Sequence, residues 1–362
     1  MIPQVELWMD EHERAAVDAV LRSGWITEGP RAAEFARCFN ALLGVNYGAF
    51  APNGTLALVL ALLALGIGPG DEVIVPDSTF IASANAVVMV GAKPVFVDVD
   101  KHFQIDPICL SSKLTSNTKA IMPVHLYGMA ANMTAVMAFA RRHGLKVVED
   151  AAQGVGVWHK GKPVGTWGDV GCFSFFADKT LTMGEGGYVV TNDMHIYGRL
   201  RLLRNHGRIN SGTFIHPDIG WNFRITDLQA AIGLAQFARL PEIIQRKQMT
   251  LDWYRERLAD VPQVRILEAP PDSNHIPFRA VLLCERVRDL MAYLKDRDVE
   301  PRTFFYPLHR QPCFGHLDPG SDREYSNAVY GWEHGMCLPV YPLLGEKRVD
   351  CICAKIREFY RD

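Results

Sequence analysis

From Asn53 to Thr191, short apolar runs alternate with helical stretches, and this alternation restricts the fold more than any other feature of the chain. Leu56–Leu65 reads as a helix, Glu72–Pro76 as a strand, Ile81–Val90 as a helix and Pro94–Val99 as a strand. Lys119–Val124 is a further strand, Met133–His143 a helix and Leu145–Glu149 a strand. These strand candidates are continuous and apolar, the pattern expected of strands covered on both faces. Strands separated by helices predict an α/β domain with a three-layer, mostly parallel central sheet. A (β/α)₈ barrel competes, but only half of the chain alternates in this way. After Thr191 the reading turns helical, with Ile196–Asn205, Ile225–Ala238 and a long connecting helix, Glu242–Ala259, that has Pro241 at its start. Beyond Val261, strand candidates Phe278–Cys284 and Thr303–Tyr306 and helix candidates Val287–Lys295 and Lys347–Tyr360 describe a smaller α+β unit. The expected division is a large domain over residues 1–240, then the connecting helix and small domain over 241–362.

A chain of 362 residues with 48% hydrophobic and 22% charged residues can bury a large core and is not disordered in composition. Its net charge of −2 supplies no footprint for nucleic acid or an acidic membrane. The strongest basic cluster, Arg199, Arg201, Arg204 and Arg208, reads as a solvated helix face in preference to an anion clamp. Eight cysteines show no metal spacing, and no metal is expected. The one close pair, Cys351 and Cys353, reads as core packing in a terminal helix. Met1–Glu13 carries Asp10, Glu11 and Glu13 and lacks an apolar core, so no export signal is expected and the free thiols point to a cytoplasmic protein. The longest apolar run, Leu56–Ile67, is well short of the roughly 20 residues that a membrane helix needs.

Chemistry concentrates at Lys179. An apolar, aromatic strand candidate, Phe173–Phe176, runs into this lysine, then into the loop Gly184-Glu185-Gly186-Gly187, then into the strand candidate Tyr188–Thr191. A lysine in a tight apolar turn is poorly hydrated, and desolvation favours the neutral, nucleophilic amine that a Schiff base requires. A surface lysine beside a hairpin gives the same local pattern. Asn53-Gly54-Thr55 precedes an apolar helix, where a cap and free N–H groups can hold a phosphate or simply start a helix. Asp150 ends a strand at the carboxyl edge, where an aspartate can hold a ring nitrogen protonated or merely close a turn. Gln153 can donate to a nearby oxygen, Phe80 can stack on a flat heterocycle, and Ser174 can reach a phosphate. Together, in this order and at strand ends, they suit a pyridoxal 5'-phosphate pocket.

The motifs that carry these residues are collinear along nearly the whole chain. They run from SGWITEGP (Ser23–Pro30) through NGTLAL, TFIASANAV, PVHLYG and VVEDAAQ to FSFFADKTLTMGEGG (Phe173–Gly187). They continue through RNHGR, GWNFRITDLQAAIGLAQ (Gly220–Gln236) and FYPLHRQP (Phe305–Pro312). In this the chain resembles the DegT/StrS nucleotide-sugar aminotransferases, members of the fold type I pyridoxal-phosphate enzymes. The resemblance implies that Lys179 forms the Schiff base, that Asp150 pairs with the pyridinium nitrogen and that Gln153 approaches the phenolate oxygen. It implies that Phe80 stacks on the ring and that Gly54, Thr55 and Ser174 hold the phosphate. It also implies that Asn222 reaches the phosphate of a neighbouring subunit, so that the active unit is a homodimer. Trp25 and His309 are assigned to the sugar side.

The reaction implied is transamination, with L-glutamate as donor and Lys179 as general base and acid. The acceptor implied is a nucleotide-linked 4-keto-6-deoxy sugar, because the likeness is strongest to the perosamine-forming branch of the family. A 3-keto sugar is the alternative, and a cyclitol ketone a more distant one. A dehydratase branch carries histidine in place of the lysine, so Lys179 favours amination. A non-catalytic member of the fold has no need for both Lys179 and Asp150. Met183 stands where a small or hydroxylated residue is more usual, and FADK (Phe176–Lys179) replaces commoner forms of that segment.

Overall fold

The computed structural model describes residues 1–210, 212–317 and 320–361. In chain order the first elements are α1 (Glu11–Ser23), α2 (Pro30–Leu43), β1 (Tyr47–Ala51), α3 (Gly54–Ala64), β2 (Glu72–Pro76), α4 (Ala82–Met89) and β3 (Lys93–Val97). They are followed by β4 (Thr118–Ile121), α5 (Met133–His143), β5 (Lys146–Asp150), the short pair β6 (Trp158–His159) and β7 (Lys162–Pro163), then β8 (Val170–Ser174) and β9 (Gly187–Thr191). Seven strands form one sheet in the order β1-β9-β8-β5-β4-β2-β3. Neighbours from β3 to β8 are parallel, and β9 runs antiparallel to both β8 and β1.

Neighbouring residues on one strand enter different cores, which is why the runs read as continuously apolar. Val73 and Val75 of β2 join the cluster under α3 and α4, whereas Ile74 faces Met133, Val136 and Ala140 of α5. Val147 and Val148 of β5 divide between the same two clusters. Helix α3 is apolar on all sides because it is enclosed, with β8 and β9 on one side and α4 packed beside it. The third core is aromatic. Phe39 of α2 meets Phe173 and Phe175 edge-on at 5.1 and 5.3 Å, and Tyr188 of β9 at 5.6 Å. Each such pair adds about 0.5–1.5 kcal/mol beyond the area it buries. The expected three-layer, mostly parallel sheet is therefore observed.

Helices α6 (Met194–Leu203), α7 (Asp227–Ala238) and the 19-residue α8 (Leu240–Leu258) lead to a second sheet. Its strands are β10 (Val264–Ile266), β11 (Ala280–Cys284), β12 (Arg302–Thr303) and β13 (Gly335–Leu338), all antiparallel, in the order β10-β11-β13-β12. Helices α9 (Val287–Lys295) and α11 (Glu346–Phe359) cover it, and α10 (Ser326–His334) leads into β13. The amino terminus also attaches here. Ile2 bridges Val299, and the Gln4 side-chain amide donates to the Leu338 carbonyl at 3.3 Å.

Three sequence expectations change. The strand expected over Thr303–Tyr306 stops at Thr303, the last residue paired with β13, because Phe304 packs on Phe103 and Tyr127 and the chain turns out of the ladder towards the cavity. The four-arginine face is only partly a solvated surface: Arg199 and Arg201 are exposed, but Arg204 is not. Arg204 is nearly buried, with its Nε donating to the carbonyls of Phe50 at 2.7 Å and Phe223 at 3.0 Å and its guanidinium paired with Glu28. Cys351 and Cys353 do not both pack inside, because residues two apart on a helix face different ways; Cys353 is buried and Cys351 exposed.

Candidate active site

A cavity of about 520 Å³ opens at the carboxyl ends of the parallel strands and is closed from the other side by residues around β11 and β12. Its floor is the start of α3. The side chain of Asn53 caps this helix, accepting from the Leu56 N–H at 3.0 Å, which leaves the first-turn N–H groups of Gly54 and Thr55 directed at the cavity. Ser174, the last residue of β8, stands beside them. A Cβ on Gly54 would lie 2.8 Å from the Ser174 Cβ, so only glycine lets strand and helix approach this closely. Gly187 serves the same joint, since a Cβ there would overlap the Asn53 carbonyl. Backbone N–H groups and two hydroxyls thus converge on one point, a cradle suited to a phosphate.

Asp150 ends β5 within the same cavity and is 6% exposed. Its Oδ2 accepts from the Ser83 hydroxyl at 2.7 Å and its Oδ1 from the Ala152 N–H at 3.1 Å. Burial pushes this carboxyl up, and the bonds from Ser83 and Ala152 only partly offset the rise. Among the described residues no cationic side chain forms an ion pair with it. A buried carboxylate with an open side facing a cavity suits a cationic ring nitrogen. Gln153 accepts from the Tyr127 N–H at 2.6 Å through Oε1, which leaves its amide donor for the cavity. Phe80 lies at the mouth, with its ring 6.2 Å from that of Phe305, while Tyr127 stacks on Phe305 at 5.4 Å.

Lys179 follows β8 in a tight turn, where its N–H donates to the Phe176 carbonyl at 2.9 Å. Its side chain is 15% exposed and its Nζ lies 4.2 Å from the centre of the Phe278 ring. Burial pushes the amine below the usual lysine range, Asp178 pulls it back up, and the nearby Arg279 guanidinium lowers it again. The structure therefore brings together Gly54, Thr55, Phe80, Asp150, Gln153, Ser174 and Lys179 around one space.

Three residues assigned by resemblance lie outside the cavity lining. Trp25 is exposed on the loop between α1 and α2, its indole N–H directed at the Glu28 carbonyl at 3.4 Å. Asn222 accepts from Arg224 Nε at 2.6 Å. His309 is buried, its Nδ1 2.7 Å from Asp77 and its Nε2 3.1 Å from Asp322, so both ring nitrogens are already engaged. Conversely, Ser83, Tyr127, Asp178, Glu185 and Arg279 were missed as site residues. Ser83 and Tyr127 lie inside the motifs TFIASANAV and PVHLYG, whose hydroxyls were the available signal. Nothing local marks Arg279, which meets Asp178 across 101 residues of sequence.

A family model described as the DegT/DnrJ/EryC1/StrS aminotransferase family matches residues 8–357. The chain belongs to this family. It is 39% identical to the GDP-perosamine synthase of Escherichia coli O157:H7, over 100% of this chain and 99% of that protein. It is 41% identical to a UDP-N-acetyl-3-dehydro-alpha-D-glucosamine 3-aminotransferase of Acidithiobacillus ferrooxidans, over 87% of this chain and 85% of that one. Among solved structures, S. venezuelae DesV in complex with a ketimine intermediate superposes with a TM-score of 0.92 at 34% identity, covering 97% of this chain and 95% of DesV. The protein is an aminotransferase by family, and aminotransferases of this family depend on pyridoxal phosphate.

Proposed function

We propose that the cavity binds pyridoxal 5'-phosphate and transfers an amino group from L-glutamate to a nucleotide-linked 4-keto-6-deoxy sugar, giving the 4-amino sugar. The observation that carries this reading is the convergence of a desolvated lysine, a buried carboxylate with no ion pair among the described residues and an anion cradle in one space. When bound, the cofactor supplies an electron sink next to the carbon that loses or gains the amino group. The chain supplies the rest. Gly54, Thr55 and Ser174 hold the phosphate, Phe80 covers the ring face, Asp150 keeps the ring nitrogen protonated and Gln153 donates to the ring oxygen. Lys179 would hold the cofactor at rest, and its free Nζ would take up and return the proton that moves between carbons.

Two partner-dependent readings belong to the same proposal. Asn222, outside the cavity of its own chain, is assigned to the phosphate of a second copy, which makes the working unit a homodimer. The exposed apolar side chains of Ile209, Phe214, Ile215 and Ile219 on the same loop support a covering partner. The 4-keto acceptor is favoured by the full-length likeness to GDP-perosamine synthase, and the likeness to a 3-aminotransferase keeps a 3-keto acceptor as the second reading. Purified protein incubated with glutamate and a panel of nucleotide-linked keto-sugars separates them. Amination of a 4-keto substrate is expected, and the absence of a 4-amino product from every 4-keto sugar refutes the first reading. Lys179→Ala is expected to retain bound cofactor, read by its absorbance, and to lose turnover; substantial residual transamination contradicts the role given to Lys179.

A further inference from the structure

Three ionisable side chains crowd the Lys179 amine without being required to hold the cofactor. Asp178, one residue earlier in the turn, has a side chain 15% exposed. Its Oδ2 accepts from Arg279 Nη2 at 2.7 Å. Among the described residues its Oδ1 makes no hydrogen bond, and it lies 3.4 Å from Lys179 Nζ. Arg279 immediately precedes β11, is buried, and lies over the Phe278 ring at 4.5 Å, the ring that also underlies Lys179. Behind the turn, Lys247 of α8 is 3% exposed and donates to the Thr180 hydroxyl at 3.1 Å. It forms no ion pair with a carboxylate among the described residues. Burial, then Arg279, pushes the Lys247 amine down to about 7. Asp150 from β5 and Glu185 from the loop before β9 complete the charged groups near Lys179.

Three cationic side chains therefore act on the Asp178 carboxylate, and one of them, the guanidinium, is permanently charged. A carboxylate alone at 3.4 Å would trap Lys179 as an ammonium ion. A guanidinium alone would expel the proton and leave the amine with no place to rest. Held together, the two oppose each other at Nζ while fixing a position for it.

We propose that Asp178, anchored by Arg279, is a positioning residue that receives the Lys179 amine whenever it is not bonded to cofactor, and that the opposed charges of the pair let this amine take up and release a proton. The inference rests on the reading of Lys179 as the cofactor-bonding amine. The two are tested separately, because the decisive measurement uses cofactor-free, full-length protein. Acetylation of Lys179 by acetic anhydride, followed over a pH series by peptide mass spectrometry, reports the fraction of neutral amine.

Removing the carboxylate in Asp178→Asn is expected to move the acetylation midpoint to lower pH by about half a unit, or about threefold faster labelling at fixed pH below it. Removing the cation in Arg279→Met is expected to move it by a similar amount to higher pH, with Arg279→Lys near the original value. The double variant is expected to return towards the unmodified protein. A merely structural role shifts both single variants the same way or not at all, and either result overturns the proposal. Circular dichroism checks folding. If Arg279→Met does not fold, Asp178→Asn decides: an unchanged or higher midpoint overturns the proposal. If cofactor instead bonds another lysine, the proposed function fails whatever these midpoints do.

Discussion

At the scale of single residues, the site depends on groups that hold other groups in place. The Ser83 hydroxyl is the side-chain donor to Asp150, and it comes from the first turn of α4, far from β5 in sequence. Ser83→Ala leaves a buried carboxylate short of one hydrogen bond, and a hydrogen bond to a charged group contributes about 1.5–3 kcal/mol. We expect turnover to fall by about tenfold or more with Lys179 still bonded to cofactor, read by steady-state kinetics alongside the visible spectrum. Unchanged kinetics would show that Asp150 is held without Ser83. The residues legible in the sequence were Asp150 and Ser174 at strand ends and Lys179 in the turn just beyond, because an apolar run that stops at polar residues announces the carboxyl edge of a sheet. Ser83, Asp178 and Arg279 were not legible as a site, since their meaning lies in contacts across tens to a hundred residues. Trp25, Asn222 and His309 entered by resemblance alone, and a single chain places none of them in the cavity lining.

At the scale of elements, the parallel strands were read closely because both faces are buried, and a run such as Glu72–Pro76 has no polar side to blur it. The edge of the second sheet was read poorly. Beyond Thr303, aromatic residues in sequence look like a strand, yet Phe304 and Phe305 pack on Phe103 and Tyr127 outside the ladder. The junction of α3 with β9 is tightly constrained. Gly187→Ala forces a methyl group against the Asn53 carbonyl and so displaces the helix start that forms the cradle. Cofactor affinity is expected to fall by about tenfold or more, measured by equilibrium titration, while a wild-type affinity would remove the cradle from this joint.

A second elemental joint ties the end of β2 to the 305–312 segment through His309, placed between Asp77 and Asp322. Burial alone would push this imidazole down, but the two carboxylates outweigh burial and raise it. A raised histidine contributes stability that is full below its unfolded value and lost as pH rises through the folded value. His309→Gln should therefore lower the thermal midpoint most near about pH 6 and progressively less towards about pH 9. A deficit that is constant with pH would mean that the imidazole contributes packing and not charge.

At the scale of the whole molecule, one chain assembles a cavity that already contains lysine, carboxylate and cradle, while Asn222 and the apolar loop around it face outward. If two copies complete each other, Lys179→Ala and Asn222→Ala damage different halves of a shared site. Mixing the two weakened variants under conditions of subunit exchange should restore about a quarter of the original activity, since half of the dimers are mixed and each then holds one intact site. No recovery above the sum of the separate variants would confine the site to a single chain. The four-stranded second sheet was legible from the change of pattern beyond Val261, but the attachment of Ile2 and Gln4 beside it was not, because residues so far apart carry no shared local signal.

The most direct test is chemical. Protein loaded with pyridoxal 5'-phosphate is reduced with borohydride, digested and mapped by mass spectrometry. A stable adduct is expected on the peptide carrying Lys179, and it is expected to disappear when glutamate is added before reduction. An adduct on another peptide, such as the one carrying the buried Lys247, or a protein that gives no adduct at all, would contradict the assignment of this cavity as the site of amino transfer.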